Sequence, residues 1–176
     1  GANSYIWNNN AVNGQAFIPS SNGNFIYSVI GTDANGCTNT DQTMITVYQL
    51  PNVGAGSYAP ICFGDPISLF GSGAVTYAWS NGIANGQSFY PSSTSSYTVT
   101  GTDANGCTNN ASTIIQVNPL PNVNAGTYNP ICIGDYITLS ATGASSYSWN
   151  NGVINLVPFY PQTTANYIVT GIDANG

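Results

Sequence analysis

The chain has 176 residues and carries a formal net charge of −6 at pH 7, because it contains aspartates but no lysine, arginine or histidine. A chain without cations cannot neutralise phosphates, which excludes nucleic-acid binding and attraction to anionic lipids. Glycine, proline and asparagine interrupt every apolar stretch, so the chain lacks the run of about 18 apolar residues that membrane insertion requires.

The polar residues are mainly Asn, Ser, Thr and Gly, and they are accompanied by 12 tyrosines and 3 tryptophans. Thr, Tyr, Val and Ile favour strands, whereas Gly, Asn and Pro favour turns. No segment shows the 3.6-residue apolar period of an amphipathic helix. The composition therefore predicts an all-β fold.

The sequence repeats with a period of 70 residues: GTDANGCTN occurs at Gly31–Asn39 and at Gly101–Asn109. Residues 31–100 and 101–170 are identical at 40 of 70 positions without a gap. Proline-rich segments around Pro51 and Pro121 are unsuited to central strands and predict short linkers. We therefore expect three copies, in chain order: the second half of a repeat (1–48), a complete repeat (55–118) and a repeat that lacks its last strand (125–176). These boundaries indicate a segment of a longer array.

The second copy contains a series of short predicted strands separated by turn residues. In chain order they are Pro60–Phe63, Ile67–Phe70, Thr76–Ser80, Ser88–Tyr90, Ser96–Asp103 and Cys107–Val117. Asn81-Gly82 and Asn105-Gly106 lie between strands, and Asn-Gly is the preferred pair of a type I′ hairpin turn because both residues tolerate positive φ. Six or seven short strands in about 65 residues indicate a small β-sandwich of the immunoglobulin type.

Aromatic residues recur at fixed places in the copies. Tyr77 and Trp79 are two residues apart on one strand and therefore share a face. We expect the following aromatic residues to lie in the core: Trp7, Trp79, Trp149, Tyr97 and Tyr167. The alternative is that Trp79 and its equivalents form a platform for stacking sugars. Phe89 and Tyr90 are adjacent, so one of them must point outward, and Tyr90 and its counterpart Tyr160 are predicted to be exposed candidates for ligand contacts.

The four cysteines allow three disulfide pairings. Cys62 and Cys107 lie in one predicted repeat, on its first and last strands, so we predict a bond between them. The loop-entropy model gives this crosslink about 4 kcal/mol, and a domain with so small a core depends on such a term. Cys37 and Cys132 are then expected to pair outside the sequence given. The competing pairing, Cys37–Cys62 with Cys107–Cys132, joins neighbouring copies. Either pairing implies an oxidising, extracytoplasmic location.

Catalysis is not expected, and no catalytic or cofactor-binding residue is predicted. A nucleophile needs a nearby base, and the chain has no histidine or lysine. Aspartates that precede Asn-Gly are expected to accept backbone hydrogen bonds in turns. Asp65 and Asp103 are weak candidates for a calcium site, since carboxylates and loop carbonyls can coordinate this ion. No histidine or Cys-x-x-Cys spacing supports a zinc site.

Three motifs together resemble a known family. They are Cys62-Phe63-Gly64-Asp65, Tyr77-Ala78-Trp79 and the segment Tyr97–Cys107, and the first two recur at Cys132–Asp135 and Tyr147–Trp149. In this order they are similar to the Ig-like/PKD-like tandem repeats of giant type IX-secreted surface adhesins of gliding and related bacteria. The resemblance implies export, display on the cell surface, and a role in adhesion, gliding or extracellular filaments.

Two functions are expected from these observations. The first is a structural or adhesive segment of a large secreted surface protein or filament, which associates with neighbouring repeats or chains because its exposed hydroxyl-rich faces carry few repelling charges. The second is a carbohydrate-binding module, or a spacer attached to a secreted enzyme, whose exposed aromatics contact a surface polysaccharide.

Overall fold

A computed structural model describes residues 1–175, so Gly176, the last residue of the predicted third copy, lies outside the described chain. The structure confirms an all-β fold: apart from two three-residue 3₁₀ helices, the regular elements of residues 1–175 are strands. The strands are β1 (Ser4–Trp7), β2 (Gly23–Thr32), β3 (Thr38–Val47), β4 (Ile61–Cys62), β5 (Ile67–Ser68), β6 (Thr76–Trp79), β7 (Ser88–Phe89), β8 (Ser95–Thr102), β9 (Thr108–Ile115), β10 (Val117–Asn118), β11 (Ser146–Trp149) and β12 (Val169–Ile172). The 3₁₀ helices are Ser80–Gly82 and Asn150–Gly152. No helix of the described residues is long and apolar enough to cross a membrane.

The chain divides into two compact units, each made of separate segments. The first unit comprises Gly1–Ala55, Gly71–Asn85 and Thr98–Ala111, and the second comprises Gly56–Phe70, Gly86–Tyr97 and the chain from Ser112 onward. The predicted boundaries of the three copies stay predictions.

The first unit contains a three-stranded antiparallel sheet in the order β1-β2-β3. Strand β2 pairs with β1 from Ser4↔Thr32 to Trp7↔Val29 and with β3 along ten residues. Tyr27, on β2, is buried and its ring contacts Phe17 at a centroid distance of 5.1 Å. The same unit holds the pairing of β6 with β8, whose register from Thr76↔Thr102 to Trp79↔Val99 repeats that of β1 with β2.

The second unit contains three strand pairs. β4 and β10 are parallel, whereas β5 with β7 and β11 with β12 are antiparallel. Leu139, Ala141 and Trp149 form a buried cluster, against which Ile137, Phe159 and Tyr167 pack. Ile137, Leu139 and Ala141 follow one another at intervals of two residues and all contribute to this cluster, as side chains on one face of an extended chain do.

Each predicted strand of the second copy has a counterpart in the structure, but the last one is divided. The segment predicted as Cys107–Val117 forms β9 and β10, which are separated by Gln116. β9 belongs to the sheet with β8, whereas β10 pairs with β4. The break lets one segment of chain supply hydrogen bonds to two different sheets.

The two Asn-Gly turns differ from the prediction of type I′ hairpins. Asn81 (φ 60°) and Gly82 (φ 71°) both have positive φ, yet they do not connect a hairpin, because β6 pairs with β8 and not with the next strand. At the second turn Gly106 has φ 83°, while Asn105 has no positive φ. The reason is Asp103, which organises a longer loop between β8 and β9 with its side chain.

Candidate functional site

In the second and third copies, a tyrosine at the equivalent position forms hydrogen bonds with the backbone just before a strand. The Tyr77 hydroxyl accepts a hydrogen bond from the Ala74 N–H (2.8 Å) and donates one to the Ala74 carbonyl (2.6 Å). Seventy residues later Tyr147 makes the same two bonds with Ala144, at 2.8 and 2.7 Å. This clamp closes the turn before β6 and before β11.

In every copy an asparagine accepts a hydrogen bond from the indole of the recurring tryptophan, and the sequence analysis missed this residue. The indole N–H of Trp79 donates to Asn85 Oδ1 (3.1 Å), as Trp149 does to Asn155 (3.1 Å) and Trp7 to Asn13 (3.2 Å). Asn85 Oδ1 also accepts from the Gly71 N–H (2.7 Å). The constant spacing of six residues after each tryptophan is a signal that would have identified these asparagines.

A second tyrosine, also missed, links distant segments of the second unit. The Tyr128 hydroxyl accepts from the Ser140 N–H (2.7 Å) and donates to the Ser140 carbonyl (3.1 Å). Its counterpart Tyr58 accepts from the Phe70 N–H (2.8 Å). These bonds connect the segment after each proline-rich linker to the strand region that follows it.

The core candidates differ in burial. Trp79 and Trp149 are 5% and 7% exposed, and Tyr97 is also buried, whereas Trp7 and Tyr167 are half-buried. The burial of Trp79 agrees with a place in the core, whereas Trp149 also lines the groove described below. The stacking alternative stays a prediction.

The exposed aromatic candidates have different surroundings in the two copies. Tyr90 is 70% exposed. Tyr160 is 47% exposed, and its ring lies against Tyr136 with centroids 3.8 Å apart and the two hydroxyls hydrogen-bonded to each other. The second copy has Pro66 at the position of Tyr136. The third copy therefore presents a pair of aromatic rings where the second presents a single one.

The aspartates of the repeated motif organise turns. Asp103 Oδ1 accepts hydrogen bonds from the backbone N–H groups of Asn105 (2.8 Å) and Cys107 (2.9 Å), and Asp33 does the same in the first copy. Asp65 Oδ2 accepts from the Cys62 N–H (3.1 Å). Asp65 belongs to the second unit and Asp103 to the first. Residues 1–175 contain no group of three or more Asp, Glu, His or Cys side chains arranged to hold a metal ion.

No disulfide bond joins the four cysteines in the described part of the chain. Cys37 and Cys132 are exposed, and Cys62 and Cys107 are half-buried. Cys62 lies opposite Asn118 in the parallel pair of β4 and β10, within the second unit, whereas Cys107 belongs to the first unit and precedes β9. The structure does not join the two thiols that we expected to bond, and the Cys62–Cys107 pairing stays a prediction.

The third copy contains an open groove of about 730 Å³. Its floor includes Leu139, Trp149 and Tyr167, and its two sides are the segments around Ile131 and Thr164. No charged side chain is among the residues that line it. The base of the groove is apolar, because Leu139, Trp149 and Tyr167 contribute to the hydrophobic cluster of this copy.

No protein-family model matches this chain, and no curated protein matches it significantly.

Proposed function

We propose that the chain is a structural repeat segment of a large secreted cell-surface protein or extracellular filament, built from immunoglobulin-like sandwich repeats. The observation that carries this proposal is the recurrence of one set of side-chain bonds 70 residues apart. Tyr77 and Tyr147 make the same backbone clamp, and Trp79 and Trp149 bind the equivalent asparagine. The residues that make these hydrogen bonds are thus the same in the second and third copies, as a spacer built of regular repeats requires.

The strand arrangement supports the immunoglobulin-like part of the proposal. In the second copy the parallel pair β4-β10 joins the first and last strands, while β6, β8 and β9 form a sheet in which β6 and β8 are antiparallel. The last predicted strand is divided into β9 and β10, which pair with strands of two different sheets. This arrangement agrees with a small sandwich of two sheets.

The chemistry of the chain supports a role outside the cell. With no lysine or arginine the chain contains no trypsin cleavage site, which favours persistence in an environment rich in proteases. The four cysteines, two of them exposed, fit an oxidising compartment in which they become paired.

Electron microscopy of the native source tests the proposal. Gold-labelled antibodies raised against this chain are expected to decorate thin stalks or fibres that extend from the cell surface, at regular intervals along their length. Labelling restricted to a soluble enzyme in the culture medium would contradict it.

The exposed Tyr136–Tyr160 pair favours a second candidate, a carbohydrate-binding module. Aromatic faces that remain open to solvent stack on sugar rings, and Tyr90 is exposed at the equivalent place in the second copy. On a glycan array a bound polysaccharide should be lost when Tyr90 and Tyr160 are both changed to Ala. The control is Tyr48→Ala, since Tyr48 lies outside this motif and its exposure is between those of Tyr160 and Tyr90. Absence of binding by the unaltered chain removes this candidate.

A further inference from the structure

The third copy carries two tyrosines directly opposite each other on paired extended segments. Ile137 and Phe159 form an antiparallel bridge and exchange two backbone hydrogen bonds, each 3.0 Å long. The adjacent pair in this register is Tyr136 with Tyr160. In an antiparallel pairing it is a pair without backbone hydrogen bonds, in which the Cα atoms are about 4.5 Å apart and the side chains are closest. The backbone therefore makes the two tyrosines neighbours.

The side chains of this tyrosine pair lie on the outer face of the paired segments. Ile137 and Phe159 pack against the buried cluster of the third copy, and the side chains next to them in an extended chain point to the opposite face. Tyr136 and Tyr160 are accordingly 61% and 47% exposed. Both phenol rings are accessible to reagents in solution.

The same outer face is open in the second copy, which includes β9 and β10. There Ile67 and Phe89 are paired in the same register, as part of β5 and β7. Pro66 and Tyr90 occupy the places of the two tyrosines, and both are exposed, Tyr90 to 70%. The accessibility of this face is therefore a property of the repeat, whereas the pair of phenols is particular to the third copy.

The two rings of the pair are in contact. Their centroids are 3.8 Å apart, their planes are inclined by 36°, and their hydroxyls are hydrogen-bonded to each other. The ring carbons ortho to each hydroxyl, at which phenoxyl radicals couple, are therefore also close to those of the other ring. Among the ring contacts of residues 1–175, this is the one in which both rings are phenols.

We propose that Tyr136 and Tyr160 form an oxidative crosslinking site, at which the two side chains of one molecule are joined as dityrosine. The oxidant is hydrogen peroxide, acting through a haem peroxidase. Each phenol loses one electron and one proton to give a phenoxyl radical, and the two electrons and two protons reduce one peroxide to two molecules of water. The radicals couple through a carbon–carbon bond between their ortho positions. The hydrogen on each of these carbons then moves to the phenol oxygen, which restores both aromatic rings.

Proximity favours this bond over bonds between molecules. Two groups held next to each other on one chain have an effective concentration in the millimolar range or above, which is at least about 1,000 times that of a second molecule in a micromolar solution. The bond joins residues that are 24 positions apart and restricts the unfolded chain, as a disulfide does. It does not require the proposed surface function, because the register and the ring contact are independent of what the chain does.

The test is oxidation of the full chain at micromolar concentration with hydrogen peroxide and a haem peroxidase. Accessible thiols are first blocked with N-ethylmaleimide, because thiols consume phenoxyl radicals. Dityrosine fluorescence is expected to appear while the chain stays monomeric on a denaturing gel. Mass spectrometry of chymotryptic peptides should recover a species that joins the segments of Tyr136 and Tyr160 and is lighter than the two peptides together by two hydrogen atoms.

Three variants make the result specific. Tyr136→Phe keeps the ring and removes one phenol, so the dityrosine yield should fall at least about 10-fold, to the level of collisions between molecules. Tyr48→Phe removes a tyrosine that is 52% exposed and has no ring contact within residues 1–175, and it should leave the yield unchanged. Pro66→Tyr, added to Tyr136→Phe, places a phenol opposite Tyr90 and should restore the crosslink, now in the second copy. Circular dichroism establishes that the variants remain folded.

Each other outcome overturns the proposal. An unaltered chain that forms no dityrosine, crosslinks found only between molecules, or equal losses with Tyr136→Phe and Tyr48→Phe would each exclude the site. Failure of Pro66→Tyr to restore the bond would overturn it as well, because the site would then not follow from the register. None of these results bears on the labelling of native material or on binding to a glycan array.

Discussion

At the scale of single residues, the hydroxyl of a tyrosine and the amide of an asparagine make hydrogen bonds that recur in the second and third copies. Tyr147 satisfies both backbone groups of Ala144, and Asn155 Oδ1 accepts from the Trp149 indole (3.1 Å) and from the Ala141 N–H (2.9 Å). Groups of this kind are costly to leave without a partner once they are away from water.

Tyr147→Phe tests this clamp. The change removes only the hydroxyl, so the Ala144 N–H and carbonyl lose their partner, and the free energy of unfolding is expected to fall by about 1–2 kcal/mol. Urea denaturation followed by tryptophan fluorescence measures it. Tyr90→Phe is the matched control: Tyr90 is largely exposed and its hydroxyl makes no hydrogen bond within residues 1–175, so its effect should stay within about 0.5 kcal/mol. Equal effects of the two changes would refute the clamp.

At the scale of elements, turns are defined by backbone geometry that particular residues permit. Gly143 has φ 93°, and a Cβ built on it would lie 1.9 Å from the Asn122 carbonyl oxygen. Gly73 repeats this arrangement with Asn52 at 1.8 Å. The close approach holds the end of each proline-rich linker against the turn that precedes β11 or β6.

Gly143→Ala should therefore destabilise the chain by more than about 2 kcal/mol, since it combines an unfavourable positive φ with a collision against backbone. Gly152→Ala is the control, because Gly152 also has positive φ (72°) but no atom lies within 4 Å of its Cβ position. It should cost only about 1 kcal/mol. The two midpoints of thermal unfolding provide the comparison, and a Gly152 variant as unstable as the Gly143 variant would show that φ alone accounts for the effect.

The strand elements were largely predictable, and their partners were not. Alternation and turn residues located β4 to β9, because these signals are local. The break at Gln116 was missed, since it arises from the parallel pairing of β10 with β4, whose residues are distant in sequence. The Asn105-Gly106 turn was assigned the wrong type because Asp103 competes for its backbone N–H groups.

At the scale of the whole molecule, the cysteines are spread over both units and differ in accessibility. Cys37 and Cys132 are exposed and Cys62 and Cys107 are half-buried. In the reduced folded chain Cys37 and Cys132 should react faster with a maleimide, because reaction requires access to the thiolate. Mass spectrometry of chymotryptic peptides at successive times follows each site. Similar rates at all four thiols would contradict these burial differences.

The same peptide mapping applied to oxidised native material decides the pairing. A Cys62–Cys107 peptide would support the bond predicted from sequence, and its absence, with both thiols labelled, would exclude that bond.

The sequence by itself determined the strand-forming character of the chain, its period of 70 residues and the absence of any cationic side chain, because composition, alternation and spacing are properties of neighbouring residues. Only the tertiary structure decided which strands pair and which asparagine holds each tryptophan. These features depend on hydrogen bonds and packing between residues far apart in the chain. The alternation of apolar and polar residues along a strand determines which face of the sheet a side chain lies on, but not which strand is its neighbour.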